Sequence, residues 1–339
     1  MKDHSRKVPQ FQVVTGEILS DIGKSGKERK WKRYKEESLA VSSSFFSFDE
    51  LEKIGQNISA CGGYLKFLSC PSGHKKRLFK ASFCHARLCP ICQWRKSLVI
   101  FHQVLELVHG HIERYVSDIP LLLTLTVPNV RAEQLKGEIQ NMQKAWERMS
   151  RKLGFKRSIR SWFRSLEITY NEKSDTYHPH YHVLLIVPKH YFDRVRGLYI
   201  SRDEWLEMWR KSTGISEITQ VDIRRVRKKS GNKPIEAVTA EVAKYATKPS
   251  SYLKEQADGT FKGLDEVIKS LHWVLRGKRL LAFGGLFKAI RKELKQADID
   301  KADLIQITEE DAHENCPVCQ LRLQEESYFW NTGLRQYVN

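Results

Sequence analysis

Three stretches of the chain carry the spacing of buried strands. Leu121-Leu122-Leu123-Thr124-Leu125-Thr126-Val127 is aliphatic and β-branched and stops at Pro128-Asn129. Leu166-Glu167-Ile168-Thr169-Tyr170 alternates apolar and polar side chains, and Val183-Leu184-Leu185-Ile186-Val187 is an unbroken apolar run. Between these two, Asn171-Glu172-Lys173-Ser174-Asp175 is a series of polar turn formers, which predicts a hairpin. A different period sets in after Pro128. Leu135, Ile139, Met142, Trp146, Met149 and Leu153 recur at spacings of 4, 3, 4, 3 and 4, the stripe of a helix that packs one face into a core. Further helices are predicted over about 95–116, 202–211 and 234–247, the last ending ahead of Pro249 because the residue before proline avoids the helical region. A strand over 220–226 leads into a basic turn, and the chain beyond 256 reads as mostly helical. Strands intermixed with helices predict an α+β fold, an antiparallel β-sheet with helices packed on it.

The predicted hairpin gives the polar positions their interest. Side chains alternate across a strand, so His178, His180 and His182 of His178-Pro179-His180-Tyr181-His182 share one face. A turn centred between Lys173 and Ser174 sets Glu167 opposite His180 on that face. Two imidazoles and a carboxylate suit a divalent cation with positions left open for a phosphate oxygen. Imidazole favours Mn²⁺ over Mg²⁺ by softness, while Mg²⁺ is the more plentiful ion. Parity leaves open whether His178 joins them.

Charge adds a partner. The 339 residues carry a formal net charge of +18, which points to a polyanion. Lys24 to Lys35, with Lys30 and Lys32 among the aromatics Trp31 and Tyr34, is one candidate contact run. Arg224, Arg225, Arg227, Lys228 and Lys229, on and after the strand over 220–226, are another set of candidate DNA-backbone contacts. No apolar run is long enough to span a membrane, and Met1-Lys2-Asp3-His4-Ser5-Arg6-Lys7 leads into no apolar signal segment, so a cytoplasmic protein is expected.

In a reducing compartment the seven cysteines read as zinc ligands. Cys89-Pro90-Ile91-Cys92 is a zinc-binding turn. A hairpin over Tyr64–Phe83 with Ser72-Gly73 at its tip sets Cys61 opposite Cys84 at its base, which gives a Cys61–Cys84–Cys89–Cys92 structural site. The alternative uses Cys70 and His74. Cys316-Pro317-Val318-Cys319 supplies two more ligands and needs partners, with His313 one option. These features divide the chain into a basic arm (1–55), a cysteine-rich zinc module (56–97), a catalytic domain (98–255) and a helical C-terminal region with a Cys-x-x-Cys pair (256–339).

The predicted helix over 234–247 brings a nucleophile. Glu241 and Tyr245 lie one turn apart on one face, with Lys248 at the end and Lys244 alongside. A tyrosine hydroxyl attacks a phosphodiester only with help, because its pKa is near 10. A divalent ion neutralises the phosphate, Lys244 or Lys248 offsets developing charge, and Glu241 serves as general base.

Taken together these motifs resemble those of the HUH endonucleases, specifically rolling-circle plasmid replication initiators with one catalytic tyrosine. The resemblance rests on Leu122–Asn129, on His178–His182 and on Glu241-Val242-Ala243-Lys244-Tyr245 in the same order and spacing. It extends through Phe83–Arg95 and Gly277–Gly285, and so spans about Cys61 to Gly285. It implies a ferredoxin- or RRM-like palm, and a metal triad of His180, His182 and Glu167. It also implies that Tyr245 attacks one strand at the plasmid's double-strand origin, becomes linked to the 5′-phosphate and frees a 3′-OH that primes synthesis. Where two-tyrosine relatives carry a second tyrosine, this chain has Glu241, which implies glutamate-assisted water attack at termination. Host helicase and polymerase partners follow from the same resemblance. Two other readings compete: a single-tyrosine transposase or relaxase, and a zinc-containing DNA-binding regulator without chemistry, which leaves the histidine strand idle.

Overall fold

The computed structural model describes residues 16–23, 26–226, 234–243, 248–298, 302–305 and 315–339. Its helices are α1 (Trp31–Phe46), α2 (Glu52–Ala60), α3 (Pro90–Arg114), α4 (Ala132–Arg151), α5 (Leu153–Ser158), α6 (Arg202–Thr213), α7 (Pro234–Val242), α8 (Asp265–Leu275) and α9 (Phe287–Glu293). Its strands are β1 (Tyr64–Ser69), β2 (Lys76–Ala81), β3 (Ile119–Thr126), β4 (Ser161–Asn171), β5 (Thr176–Val187), β6 (Val221–Arg225), β7 (Leu253–Glu255), β8 (Phe261–Gly263), β9 (Leu281–Gly285), β10 (Gln324–Asn331) and β11 (Gln336–Val338). The fold is α+β, as the sequence pattern predicts. No helix among the described residues is long and apolar enough to cross a membrane.

Two compact units share the chain: Met1–Arg33, Gly62–Ser82 and Ile305–Asn339 form one, and Tyr34–Cys61 and Phe83–Leu304 form the other. The residues of the expected cysteine module fall in both. The hairpin β1–β2 belongs to the first unit, and Cys61, Cys84, Cys89 and Cys92 to the second.

The larger unit is built on a five-stranded antiparallel sheet in the order β6-β3-β5-β4-β9. Leu123, Leu125, Tyr181, Val183 and Leu185 project to one face and are fully buried. The stripe of α4 covers them: Leu135, Ile139, Met142, Trp146 and Met149 are all buried, and Trp146 stands edge-on to Tyr181 at 6.4 Å. The expected sixth member of that stripe, Leu153, is instead 71% exposed. Lys152 takes an extended conformation (φ −61°, ψ 143°), so α4 ends at Arg151 and α5 starts in a new direction. Phe155, 2% exposed, packs into the core instead, edge-on to Trp146 at 5.8 Å and to Trp205 at 5.9 Å. The opposite face carries the histidines. His111 of α3 bonds Ser161 there at 2.9 Å, and α7 packs against β4 and β5.

The smaller unit is a four-stranded sheet in the order β11-β10-β1-β2. Its last two strands correct the helical reading of the C-terminal region. Tyr328 and Trp330 give Gln324–Asn331 strand character, and Glu325 and Glu326 reach Lys66 and Lys76 across the sheet at 2.6 and 2.8 Å. The expected basic arm is ordered over α1 and α2, which from Tyr34 onward belong to the larger unit. Trp31, Lys35, Ser38, Ser42 and Phe45, at helical spacing, are all buried. Small serines on that stripe allow close packing.

Candidate active site and metal centres

The β4–β5 hairpin has the register that its symmetrical polar turn predicts. Glu167 pairs with His180, Ser165 with His182 and Thr169 with His178. Glu167 and His180 are buried, with 1% and 8% exposure. Glu167 Oε2 lies 3.0 Å from His182 Nε2 and 3.7 Å from His180 Nε2. Lys248 sets its ammonium 2.6 Å from Oε1. Burial alone would raise the Glu167 carboxyl, but its contacts with His180, His182 and Lys248 outweigh that and hold it well below the usual carboxylate range. The site therefore presents an ionised carboxylate beside two imidazoles.

Supporting contacts orient both rings. His180 Nδ1 lies 3.2 Å from the His178 carbonyl, an acceptor, which turns Nε2 toward Glu167. Thr124 Oγ1 of β3 lies 3.5 Å from His182 Nδ1. Octahedral ligands about 2.1 Å from an ion lie about 3.0 Å apart when cis; the Glu167–His182 separation matches this, and Glu167–His180, at 3.7 Å, is wider. One donor atom from each of Glu167, His180 and His182 falls within 4.8 Å of the others. His178 stands outside that group. Its ring stacks on His180 at 5.1 Å, and burial lowers its pKa.

Glu241 sits half-buried in the last turn of α7, flanked by buried Thr239, Val242 and Ala243. Tyr245 and Lys244 lie outside the described residues, as do Arg227, Lys228, Lys229 and His313. Lys30 and Lys32 are exposed. Arg224 pairs with Asp222 at 2.7 Å on the edge strand β6, and by register it shares the histidine face. Arg225 lies over the Phe192 ring at 5.7 Å.

Two further donor clusters gather cysteines. Cys61 follows α2, Cys84 follows β2, Cys89 caps α3 and Cys92 lies in its first turn. The Sγ atoms of Cys61 and Cys84 lie 3.6 and 3.7 Å from that of Cys92. Zinc with four thiolates at about 2.3 Å gives a tetrahedral edge of about 3.8 Å, so the set fits that ion. The Cys84 N–H points at Cys61 Sγ, and Ser38 Oγ lies 3.5 Å from Cys89 Sγ. Lys35, buried with its ammonium on the carbonyls of Ser59 and Cys61 at 2.6 and 2.7 Å, places a positive charge beside the thiols. Its place in a charged run suggests only solvation, but its spacing from Trp31 and Ser38 puts it on the inward stripe.

The second cluster, within the smaller unit, joins Cys70, His74, Cys316 and Cys319. Cys70 Sγ lies 3.4 Å from Cys319 Sγ and 3.7 Å from His74 Nδ1, which in turn is 3.9 Å from Cys316 Sγ. The Cys319 backbone N–H heads the contacts that pull the Cys316 thiol down to about 6, thiolate character at neutral pH. Cys70 and His74 therefore partner Cys316 and Cys319, not the first cluster. No local signal links residues so distant in sequence.

Comparison with known proteins places the chain in a family. The replication-protein family matches residues 75–338. A protein rep of Streptococcus pneumoniae serotype 2 is 35% identical over 288 residues, 85% of this chain and 87% of that protein. One from Bacillus amyloliquefaciens is 32% identical over 343 residues, covering 95% and 97% of the two chains. One from Staphylococcus aureus is 39% identical over 204 residues, 59% of this chain and 86% of the other. No solved structure matches. The chain belongs to the replication-protein (Rep) family of plasmid rolling-circle replication initiators.

Proposed function

We propose that this Rep protein nicks one strand of its plasmid's double-strand origin, with Tyr245 as nucleophile and a divalent metal held by Glu167, His180 and His182. The observation that carries the reading is the three-donor cluster on one face of β4 and β5. When bound, Mn²⁺ or Mg²⁺ would supply charge neutralisation at the scissile phosphate. The chain's own residues do the rest. The Tyr245 hydroxyl loses its proton and attacks phosphorus, the new Tyr–O–P bond forms, and the bond to the 3′ oxygen breaks to leave a 3′-OH. Lys248, whose ammonium already lies against Glu167, together with Lys244 offsets charge on the phosphate. Glu241, four residues before Tyr245, takes a proton from the tyrosine or from the water that ends the cycle. Arg224 is a backbone-positioning contact on the same face. Arg225, Arg227, Lys228, Lys229, Lys30 and Lys32 complete the candidate DNA contacts.

Both cysteine clusters hold structural Zn²⁺ in this reading. Each closes four donors around one point and leaves no position open for substrate. Helicase and polymerase of the host act on the strand so opened.

Supercoiled origin plasmid tests the reading. Wild-type protein with Mn²⁺ should give open circles, His180→Ala and His182→Ala should give none, and Arg224→Ala should nick more weakly. Nicking by both histidine variants at the wild-type rate would remove the metal centre from the chemistry.

A further inference from the structure

The edge of the large sheet away from the histidines carries a cavity of about 1550 Å³. Strand alternation sets Trp162 and Arg164 of β4 on the face opposite Glu167. The cavity wraps from that face around the edge strand β9. Its lining holds nine Lys or Arg residues against two carboxylates, Glu147 and Asp298.

Arg164 is the unusual member. It is 5% exposed, and its Nε and Nη1 are buried without a hydrogen-bond partner. Its guanidinium lies 4.1 Å from the Tyr181 ring centroid and 5.7 Å from that of Trp146. Ring faces and the Tyr181 hydroxyl hold the cation in place but leave Nε and Nη1 without a hydrogen-bond partner. The Trp146 indole N–H is also buried and unpartnered. Buried polar groups are nearly always satisfied, and a guanidinium keeps its charge when buried. Unpartnered donors on one cationic wall call for an anion with several acceptor oxygens.

A platform lies next to them. Trp162 packs on Trp146 at 4.9 Å and remains half-exposed to the cavity. A Cβ on Gly284 would stand 2.0 Å from the Trp162 ring, so only glycine lets the indole lie across the β9 backbone. Gly285, at φ +61°, then turns the chain under the Arg160 carbonyl, where a Cβ would stand 2.0 Å away. An indole face beside cationic side chains is the usual equipment for single-stranded nucleic acid. A duplex holds its phosphates on a stiff outer surface and cannot bring one beside buried Arg164; a single strand can.

We propose that this cavity binds single-stranded DNA at a second site, separate from the histidine face, with a backbone phosphate on Arg164 and a base on Trp162. The inference rests on the reading of the chain as a DNA-nicking initiator. It assigns the site to a strand that is not being cut, held on the far side of the sheet.

The test uses full-length, zinc-loaded protein and a short mixed-sequence oligodeoxynucleotide lacking the nick site, followed by fluorescence anisotropy. Inorganic phosphate and the same sequence as duplex are separate arms. Arg164→Met fills the space between the rings without charge, Arg164→Lys restores the charge, and Arg279→Ala with Lys288→Ala strips the exposed rim. Wild-type protein should bind the single strand more tightly than the duplex. Arg164→Met should weaken this by about tenfold or more with unchanged melting temperature and zinc content, and Arg164→Lys should recover part of it. The rim variant should lower the slope of log affinity against log salt by about 0.7 per lost phosphate contact. Wild-type affinity in both the Arg164→Met and rim variants overturns the proposal. So does displacement by phosphate without any binding of the oligonucleotide. Origin nicking is measured on the same preparation: nicking with unaltered oligonucleotide binding in the variants sinks the second site alone, whereas oligonucleotide binding without nicking sinks the catalytic reading alone.

Discussion

Lys248 gives the metal centre a quantitative test. Its ammonium lies 2.6 Å from Glu167 Oε1, and its side chain is 45% exposed. A divalent ion bound about 2.1 Å from the same carboxylate would stand about 4–5 Å from that ammonium. At this exposure the dielectric is close to that of water, and the repulsion between a charge of two and a charge of one is about 2 kcal/mol. Physiological salt, with a screening length of about 8 Å, cuts this to about 1 kcal/mol. Lys248→Met removes the repulsion and frees a carboxylate oxygen. It should therefore tighten Mn²⁺ binding by about fivefold while slowing nicking, because a charge that helps the phosphate is lost. Titration of the free Mn²⁺ paramagnetic resonance signal, without DNA, measures the first effect. An unchanged or weaker Mn²⁺ affinity would refute the placement of the ion between Glu167, His180 and His182.

Further outcomes follow from the packing and the ligand sets. Cys92→Ser should release one zinc per chain and lower the melting temperature, because binding energy at a structural zinc site is folding energy; metal analysis and calorimetry read both. Met142→Ala, in the centre of α4, should cost about 2–5 kcal/mol in denaturant unfolding, while Leu153→Ala, on the exposed side of the break, should stay within about 0.5 kcal/mol. Glu167 has its carboxyl held low in the folded state, so its contribution is present above the unfolded-state value of about 4.3 and is lost as pH falls toward the folded value. The stability gap between the metal-free wild type and Glu167→Gln should shrink as pH falls below about 4.3; a gap that grows over that range would contradict the sign.

Much of this geometry is legible in the sequence, for reasons of period. A strand repeats every two residues, so one symmetrical turn sets the register of Glu167 against His180. The four-cysteine cluster is legible for a similar reason: a hairpin brings its two ends together, and Cys61 and Cys84 flank one. Other features have no local signature. Lys152 is an ordinary helix residue, and nothing in the sequence around it announces the break that exposes Leu153. Lys35 hides in a basic run, and only the spacing Trp31, Lys35, Ser38 shows that it turns inward. The partnership of Cys70 and His74 with Cys316 and Cys319 is set by β10 pairing with β1, a contact between the two ends of the chain. Long-range pairing of that kind follows from the whole fold and not from any window of sequence.

Reaction of the protein with a single-stranded origin fragment and Mn²⁺, followed by peptide mapping of the covalent product, goes to the centre of the account. The prediction is a phosphodiester link between the DNA 5′-phosphate and Tyr245, absent from Tyr245→Phe and from His180→Ala. A link on another residue, or an undiminished product from Tyr245→Phe, would contradict it.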